Sequence, residues 1–157
     1  MRIGVISDSH GDIFAVKRAV AQMGSVDILI HLGDHYKDAE IILKELKRDI
    51  IYVKGNCDFS HTVECDKIIN IEGKKLLLTH GHRYNVKSNY LNLYYKALEE
   101  EVNVVLFGHT HYAEIFEKDN ILFVNPGSLS RPRGPAQTYA ILTIDSGFIV
   151  PCILEVQ

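Results

Sequence analysis

The first half of the chain alternates short apolar runs with segments of helical spacing. Apolar runs occupy residues 2–7, 28–32 and 50–53, and each one ends in a polar loop. Between the first two runs, apolar residues recur every three or four positions and predict a helix; they are Phe14, Val16, Ala19, Val20 and Met23. A second helix is predicted over residues 39–46. Because helical crossovers of this length connect parallel strands, the pattern predicts a buried parallel sheet.

After residue 60 the pattern changes to paired strands. Residues 67–71 and 75–79 flank Glu72-Gly73-Lys74, which is typical of a β-hairpin turn. Two further hairpins are predicted in the last third of the chain, over residues 112–124 and 138–154. A helical segment at residues 88–101 precedes an apolar strand at 104–107. An α/β half followed by a mostly β half predicts two packed sheets with helices outside them.

Length and charge narrow the classes of protein to which the chain belongs. A chain of 157 residues with 46% hydrophobic residues is expected to form one domain over residues 1–157, without a cap domain. The net charge of −3 argues against binding to extended nucleic acid or to an anionic membrane. No apolar run approaches the roughly 18 residues of a membrane span, so a cytoplasmic location is expected. The three cysteines are scattered and do not indicate a disulfide framework.

Side chains that can bind metal follow the ends of five apolar strands. They are Asp8 and His10, then Asp34, Asn56, His80, and finally His109 and His111. The carboxyl ends of strands in such a sheet share one crevice, so these side chains are expected to converge. Carboxylate, amide and imidazole ligands without thiolate suit Mn, Fe, Co, Ni or Zn. Seven ligands exceed the need of one tetrahedral ion but suffice for two ions that share a carboxylate, the arrangement that supports phosphoryl transfer.

The ordered motifs DSH, GD, GNCD, THGH, GHTH and NPGS, from Asp8 to Ser128, resemble those of the calcineurin-like metallophosphoesterases, and in particular their small bacterial and archaeal phosphodiesterases. The resemblance implies a four-layer α-β-β-α sandwich of two mixed sheets. It also implies two divalent metal ions, with Mn expected and Ni, Fe, Co or Zn as alternatives. The first ion would be held by Asp8, His10 and His111 and the second by Asn56, His80 and His109, with Asp34 as the bridging ligand.

The activity implied by the resemblance is hydrolysis of a small phosphate ester, with a diester expected, by a hydroxide that bridges the two metals. Many larger relatives carry a histidine directly after the metal-binding asparagine, where this chain has Cys57. A neutral thiol is a weak donor, so we expect a preference for diesters or activated leaving groups. His82, Arg83 and Cys57 are candidates for assisting the leaving group. For His82 the alternative is support of the metal ligands, and for Arg83 it is an ordinary surface position.

Other readings stay open at this point. A phosphomonoesterase or a small nuclease would use the same metals, and the retromer subunit that shares this fold is a binding scaffold with a degraded site. Intact Asp8, His10 and Asp34 favour catalysis over the scaffold.

Two acidic residues are expected to have local roles, Asp12 as a helix N-cap and Asp58 in a loop hydrogen bond. His31 is expected to be a buried, hydrogen-bonded histidine. The sequence leaves formation of a homo-oligomer open.

Overall fold

The computed structural model describes residues 1–46 and 50–157, and its elements follow the predicted order. The helices in these ranges are α1 Ile13–Met23, α2 Tyr36–Leu46 and α3 Leu91–Glu99, with a short 3-10 helix at His82–Tyr84. The strands are β1 Arg2–Ile6, β2 Ile28–His31, β3 Ile50–Tyr52, β4 Asp66–Ile71, β5 Lys74–Thr79, β6 Val104–Leu106, β7 Ala113–Lys118, β8 Ile121–Pro126, β9 Thr138–Asp145 and β10 Phe148–Glu155.

The strands form two mixed five-stranded sheets. The first sheet has the order β10-β9-β1-β2-β3, in which β1, β2 and β3 are parallel and the β9–β10 hairpin is antiparallel. The second sheet has the order β4-β5-β6-β8-β7, with parallel β5, β6 and β8 between two antiparallel edge strands. The predicted parallel β1–β3 unit and the three predicted hairpins are confirmed.

The two sheets pack face to face, and helices cover their outer faces. Alternate residues of each strand face opposite sides, so Ile3 and Val5 of β1 lie in the core between the sheets, whereas Ile6 packs toward α1 and α2. In the second sheet, Leu77 of β5 packs on the outer side with residues of α3. Three apolar layers therefore separate four layers of secondary structure, and the expected α-β-β-α sandwich is confirmed.

Helix α2 begins earlier than predicted for a physical reason, and one residue of α1 does not face the core as predicted. Helix α2 begins at Tyr36 rather than at residue 39, because the Asp58 carboxylate accepts hydrogen bonds from the backbone N–H groups of His35 and Tyr36 at 2.8 and 3.1 Å. A cap from a loop 22 residues away in the sequence leaves no local signal. Helix α1 forms over the segment of helical spacing, but Phe14, predicted for its apolar face, is 82% exposed and lies off the buried face. No helix within the described ranges is long and apolar enough to span a membrane.

Close packing of α1 on β1 depends on a glycine. A Cβ atom added at Gly4 would lie 2.6 Å from the Met23 Sδ, below any normal contact distance. Met23 is 1% exposed and belongs to the core beneath α1, so its side chain has little room to move away. The glycine therefore sets how closely the first helix approaches the first strand, and with it the position of the loop that joins them.

We expect Gly4→Ala to lower the free energy of unfolding by about 1–3 kcal/mol, the usual cost of overpacking a core. Met23→Ala should also destabilise the protein, by leaving a cavity. The double variant should be less destabilised than the sum of the two single changes, because the cavity left by Met23→Ala makes room for the added Cβ atom. Urea denaturation of the four proteins measures this coupling, and strict additivity would contradict the proposed contact.

Candidate metal centre

The predicted ligand loops meet at one edge of the sandwich, where parallel strands of both sheets end. Backbone hydrogen bonds join the loops pairwise: the Asp8 N–H donates to the Gly33 carbonyl at 3.1 Å, and the Gly108 N–H donates to the His80 carbonyl at 3.2 Å. Five of the seven predicted ligands have a positive φ angle; they are Asp8, His10, Asp34, His109 and His111. Such conformations are costly for residues other than glycine and cluster at functional sites.

Asp8, His10 and His111 form the first cluster. The Asp8 Oδ1 lies 3.0 Å from the His111 Nε2 and 3.9 Å from the His10 Nε2, and the two imidazole nitrogens are 3.5 Å apart. The other Asp8 oxygen, Oδ2, accepts hydrogen bonds from the Ser7 hydroxyl at 2.6 Å and the His109 backbone N–H at 3.1 Å. One carboxylate oxygen is thus fixed by the protein, and the other faces the imidazoles.

Asp34, His80 and His109 form the second cluster. The Asp34 Oδ1 lies 3.4 Å from the His80 Nε2, which in turn lies 3.1 Å from the His109 Nδ1. His80 is fully buried, and its Nδ1 donates a hydrogen bond to the Leu32 carbonyl at 2.8 Å, which orients Nε2 toward Asp34. The ligand atoms of each cluster lie within 4.8 Å of one another.

Asp34 connects the two clusters through its two oxygens. Its Oδ1 faces His80 of the second cluster, and its Oδ2 lies 3.7 Å from the His10 Nε2 of the first. The Cys57 backbone N–H donates to Oδ1 at 2.9 Å and fixes the carboxylate from the β3 loop. The structure therefore places Asp34 between the two clusters, and the bridging role that the family resemblance implies for it stays a prediction.

The residues fit divalent metal ions. Asp8 Oδ1 is buried and accepts no well-aligned hydrogen bond from the residues that the structure describes, although three imidazoles surround it. The His111 Nδ1 donates to the Arg131 carbonyl at 2.7 Å, so that, as in His80, the Nε2 atom is the one turned to the carboxylates. A buried anion faced by oriented imidazole nitrogens is the arrangement that a metal ion completes.

The charges in the site are strongly coupled. Burial raises the pKa of both carboxyl groups, but nearby histidines outweigh it, so the pKa values of Asp8 and Asp34 lie below their ordinary value. Burial lowers the pKa of His10, and it lowers that of His109 to about 4, with the help of His80 and Lys87. Burial also acts to lower the pKa of His80, but the Asp34 and Asp8 carboxylates outweigh it and raise that pKa. Contact with the Asp8 carboxylate raises the pKa of His111. Metal ligation requires ionised carboxylate and neutral imidazole, so binding of an ion would release the protons that the carboxylates favour on these two histidines.

Asn56 and Cys57 lie beside the clusters on the β3 loop. Asn56 is exposed, and its Nδ2 lies 3.4 Å from the Cys57 Sγ, so its role as a ligand stays a prediction. Cys57 forms a third group of close ligand atoms with His10 and Asp34. Burial and the Asp34 carboxylate raise the pKa of the Cys57 thiol to about 11, so it is neutral.

His82 and Arg83, the other two candidates, have different surroundings. The His82 ring lies 5.4 Å from that of His80, centroid to centroid, and its buried Nδ1 has no hydrogen-bond partner among the described residues. Arg83 is turned toward Asp66, with 3.4 Å between Nη1 and Oδ2, and its side chain is 60% exposed. The structure brings His82 to the clusters and gives Arg83 a different partner; phosphate binding by Arg83 stays a prediction.

A glycine before Asn56 makes room for Asp34. A Cβ atom added at Gly55 would lie 2.1 Å from the Asp34 Oδ1 and 2.6 Å from its backbone nitrogen. The Gly55 N–H also donates to the Asp58 Oδ2 at 2.8 Å, which confirms the predicted loop hydrogen bond of Asp58. The glycine of the GNCD motif is thus explained by close packing against the shared carboxylate.

A buried hydrogen-bond chain below the clusters was not predicted as a unit. The Gly33 N–H donates to the His31 Nδ1 at 3.1 Å, so the proton of neutral His31 is on Nε2, which lies 2.8 Å from the Ser9 hydroxyl. Ser9 donates in turn to the Asp38 Oδ2 at 2.5 Å, and the Gly11 N–H donates to the same oxygen at 2.9 Å. The chain joins the β1 loop, the end of β2 and helix α2.

Asp12 has the predicted role of N-cap, accepting from the Ala15 N–H at 2.9 Å.

The NPGS motif supports both clusters from the opposite side. The buried Asn125 side chain donates to the Gly108 carbonyl at 3.2 Å and to the Thr110 hydroxyl at 2.9 Å, which holds the GHTH loop. The Ser128 hydroxyl donates to the Asp8 carbonyl at 2.8 Å. Motif spacing indicated a turn near the site, but these partners depend on the packing of β8 against the first loop.

Comparison with known proteins agrees with this arrangement. The profile of the calcineurin-like phosphoesterase superfamily domain matches residues 1–147. A probable metallophosphoesterase of Bacillus subtilis, YsnB, is 36% identical over 149 residues, covering 93% of this chain and 86% of that protein. The phosphodiesterase YfcE of Escherichia coli is 32% identical, with 92% of this chain and 89% of YfcE covered.

Solved structures show the same fold. A conserved uncharacterized protein and predicted phosphoesterase from Streptococcus pneumoniae has a TM-score of 0.84 at 36% identity, covering 98% of this chain and 88% of that one. Vps29 of Entamoeba histolytica, solved with Zn²⁺, has a TM-score of 0.76 over the full length of both chains, but at 22% identity it supports the fold alone. The two sheets and their ligand loops define a metallophosphoesterase fold. The chain belongs to the calcineurin-like phosphoesterase superfamily.

The buried His31 predicts a pH dependence of stability. Burial lowers the pKa of His31 to about 4, below the ordinary 6.5. Between these values the unfolded chain binds a proton that the folded protein does not, so stability is complete above pH 6.5 and falls as the pH drops toward 4. The loss from this one group should total about 3 kcal/mol.

Replacement by His31→Gln removes the titrating group and should flatten the pH dependence. Urea denaturation at pH 7, 5.5 and 4.5 in the presence of a chelator measures how the free energy of unfolding depends on pH. Wild type and His31→Gln contain the same other histidines, so the contribution of those histidines cancels in the comparison. His61→Gln, at an exposed position, serves as the control and should leave the slope unchanged. Parallel curves for wild type and His31→Gln would contradict the assignment.

Proposed function

We propose that the protein is a metal-dependent phosphodiesterase that binds two divalent metal ions, with Mn as the expected metal. The observation that supports this most is the Asp34 carboxylate, whose two oxygens face different imidazole clusters. Asp8, His10 and His111 would hold one ion, and His80 and His109 with Asn56 would hold the other, with Asp34 shared. The identity to YfcE, a protein named a phosphodiesterase, supports the diester as substrate.

Bound metal would supply Lewis acidity toward the phosphoryl oxygens and make water acidic enough to act as a nucleophile at neutral pH. The protein's own residues keep the ligands in place beforehand. The His80 and His111 rings are oriented by the Leu32 and Arg131 carbonyls, and Asp34 is oriented by the Cys57 N–H. Such preorganisation removes the cost of arranging ligands during the reaction.

Cationic side chains at the rim would favour an anionic substrate. The charge of Arg131 contributes to the lowered pKa of His10, and the charge of Lys87 acts in the same direction on His109 and His111. Both cations are exposed. A small phosphate diester would therefore meet positive charge near the site, although the chain as a whole is acidic.

Cys57 and His82 are the groups placed to influence the leaving group. The Cys57 thiol is neutral and a weak donor, so it gives little help to a poor leaving group. This supports diesters and activated esters over simple monoesters.

The intact set of Asp8, His10, Asp34 and four further predicted ligands favours an enzyme over a binding scaffold. We also propose a cytoplasmic location, which the sequence-based arguments alone support.

Asp34→Asn should lower diesterase activity by more than about 100-fold, because an amide keeps the shape of the carboxylate but loses its charge. His80→Ala should have a similar effect. Circular dichroism should show both variants folded, and metal analysis should give fewer bound ions than the two expected for wild type. Asp145→Asn and His61→Ala, at exposed positions away from the clusters, are the matched controls.

The assay is hydrolysis of bis(p-nitrophenyl) phosphate after loading with Mn²⁺, Ni²⁺, Zn²⁺ or Mg²⁺. Retained activity in Asp34→Asn would contradict the shared-carboxylate assignment. A wild-type protein that binds fewer than two ions and hydrolyses no ester with any of the four metals would favour the scaffold.

Cys57→His should raise the ratio of monoesterase to diesterase activity by about 100-fold, because an imidazole can donate a proton to the leaving group. Cys57→Ser keeps a weak neutral donor and should leave the ratio near that of wild type. Cys152→His, at an exposed position of β10, controls for the addition of a histidine elsewhere. Kinetics on glycerol 3-phosphate, a monoester with a poor alkoxide leaving group, and on bis(p-nitrophenyl) phosphate measure the ratio, and an unchanged ratio in Cys57→His would refute the explanation of ester preference.

A further inference from the structure

A separate cavity of about 270 Å³ opens beside the metal clusters. It is lined by His35 and Lys37 from the start of α2 and by Cys57, Asp58 and Phe59 from the loop after β3. The volume is below the range of typical drug-sized ligand pockets, about 300–1,000 Å³. It therefore suits one ring system rather than a whole multi-ring ligand.

The cavity adjoins the clusters through two residues. The His35 ring lies 5.9 Å from the His10 ring, centroid to centroid, and Cys57 shares a group of close ligand atoms with His10 and Asp34. A phosphate held at the clusters would thus lie close enough for a group bonded to it to reach the cavity. A substituent on that phosphate extends away from the clusters, and this cavity is a recess next to them that can receive it.

Phe59 gives the cavity an aromatic wall. Its side chain is 96% exposed, so it contributes little to the core and its ring is free for contact with a ligand. Base–aromatic stacking tolerates many ring systems, because every base presents a π face. An exposed phenylalanine beside a site proposed to bind phosphate can therefore stack on a base that is attached to that phosphate.

The polar residues of the cavity suit a ring that bears heteroatoms. The Asp58 carboxylate already accepts three backbone hydrogen bonds, from the N–H groups of His35, Tyr36 and Gly55. Its charge is therefore engaged, and it offers few free acceptor positions to a ligand. The exposed Lys37 ammonium and the half-buried His35 ring remain as hydrogen-bonding groups, and both can contact the nitrogen and oxygen atoms at the edge of a nucleobase.

We propose that this cavity binds the nucleobase of a nucleoside phosphodiester, with the base stacked on Phe59 and its phosphate at the metal clusters. The proposal rests on the proposed phosphodiesterase function and specifies its substrate class. It assigns Phe59 and Lys37 to substrate specificity, outside the ligand motifs.

Fluorescence tests base binding without any need for turnover. The chain contains no tryptophan, so Phe59→Trp introduces a single reporter on the cavity wall. Adenosine 5′-monophosphate should quench this fluorescence saturably, whereas ribose 5-phosphate, which lacks the base, should not. Phe14→Trp places the same reporter at an exposed position of α1 that does not line the cavity, and it should respond to neither compound. Equal responses of the two tryptophan variants would overturn the proposal.

Kinetics test the same contact during hydrolysis. The matched substrates are the methyl phosphodiesters of adenosine 5′-phosphate and ribose 5-phosphate, with products separated by chromatography. Phe59→Ala should reduce the preference for the adenosine compound, measured as a ratio of kcat/KM values, by about 5- to 150-fold. Phe14→Ala should keep the wild-type ratio.

The outcomes separate the two proposals. Hydrolysis of both diesters with an equal ratio in wild type and Phe59→Ala overturns the base subsite and leaves the phosphodiesterase standing. Saturable quenching without hydrolysis of any diester, under every metal, supports the base site and overturns the phosphodiesterase function.

Discussion

The carboxylate of Asp34 lies between two groups of imidazoles, and much of the surrounding structure keeps it there. One oxygen faces His80 and also accepts from the Cys57 N–H at 2.9 Å, while the other faces His10. Residues of three loops must meet at one side chain, which requires the loops to pack more closely than ordinary residues allow. Gly55 provides that space, because any Cβ at this position would overlap the carboxylate.

Backbone strain at the site is balanced by hydrogen bonds deeper in the protein. Asp8, His10 and Asp34 all have positive φ angles, which cost free energy for residues other than glycine. The His31–Ser9–Asp38 chain and the Ser128 hydroxyl tie the same loops from below through buried contacts. Because these groups have few alternative partners once buried, the strained loops have no cheaper arrangement.

Sequence reasoning predicted the sandwich, its parallel units and its hairpins, because each depends on local periodicity and turn chemistry. It also predicted the convergence of six of the seven named side chains, since the carboxyl ends of parallel strands share an edge, whereas the role of Asn56 as a ligand stays a prediction. It did not predict the early start of α2, because Asp58 caps that helix from a different loop. It did not predict the pairing of Asp38 with Ser9 and Gly11, because that pairing arises from packing between distant segments.

Buried carboxylates in this protein differ in how fully they are hydrogen-bonded, and the difference separates structural from functional roles. Asp38 is 4% exposed, and its Oδ2 accepts from both a hydroxyl and a backbone N–H. Asp8 is completely buried, yet its Oδ1 has only imidazole nitrogens around it and no well-aligned donor among the described residues. An ionised group removed from water needs compensation by hydrogen bonds or by a cation. For Asp38 hydrogen bonds from the protein provide it, whereas Asp8 needs positive charge in the crevice, from protonated histidine or from bound metal. The two aspartates are similarly buried but differ in what balances their charge, and only for Asp8 does that balance depend on a cation in the crevice.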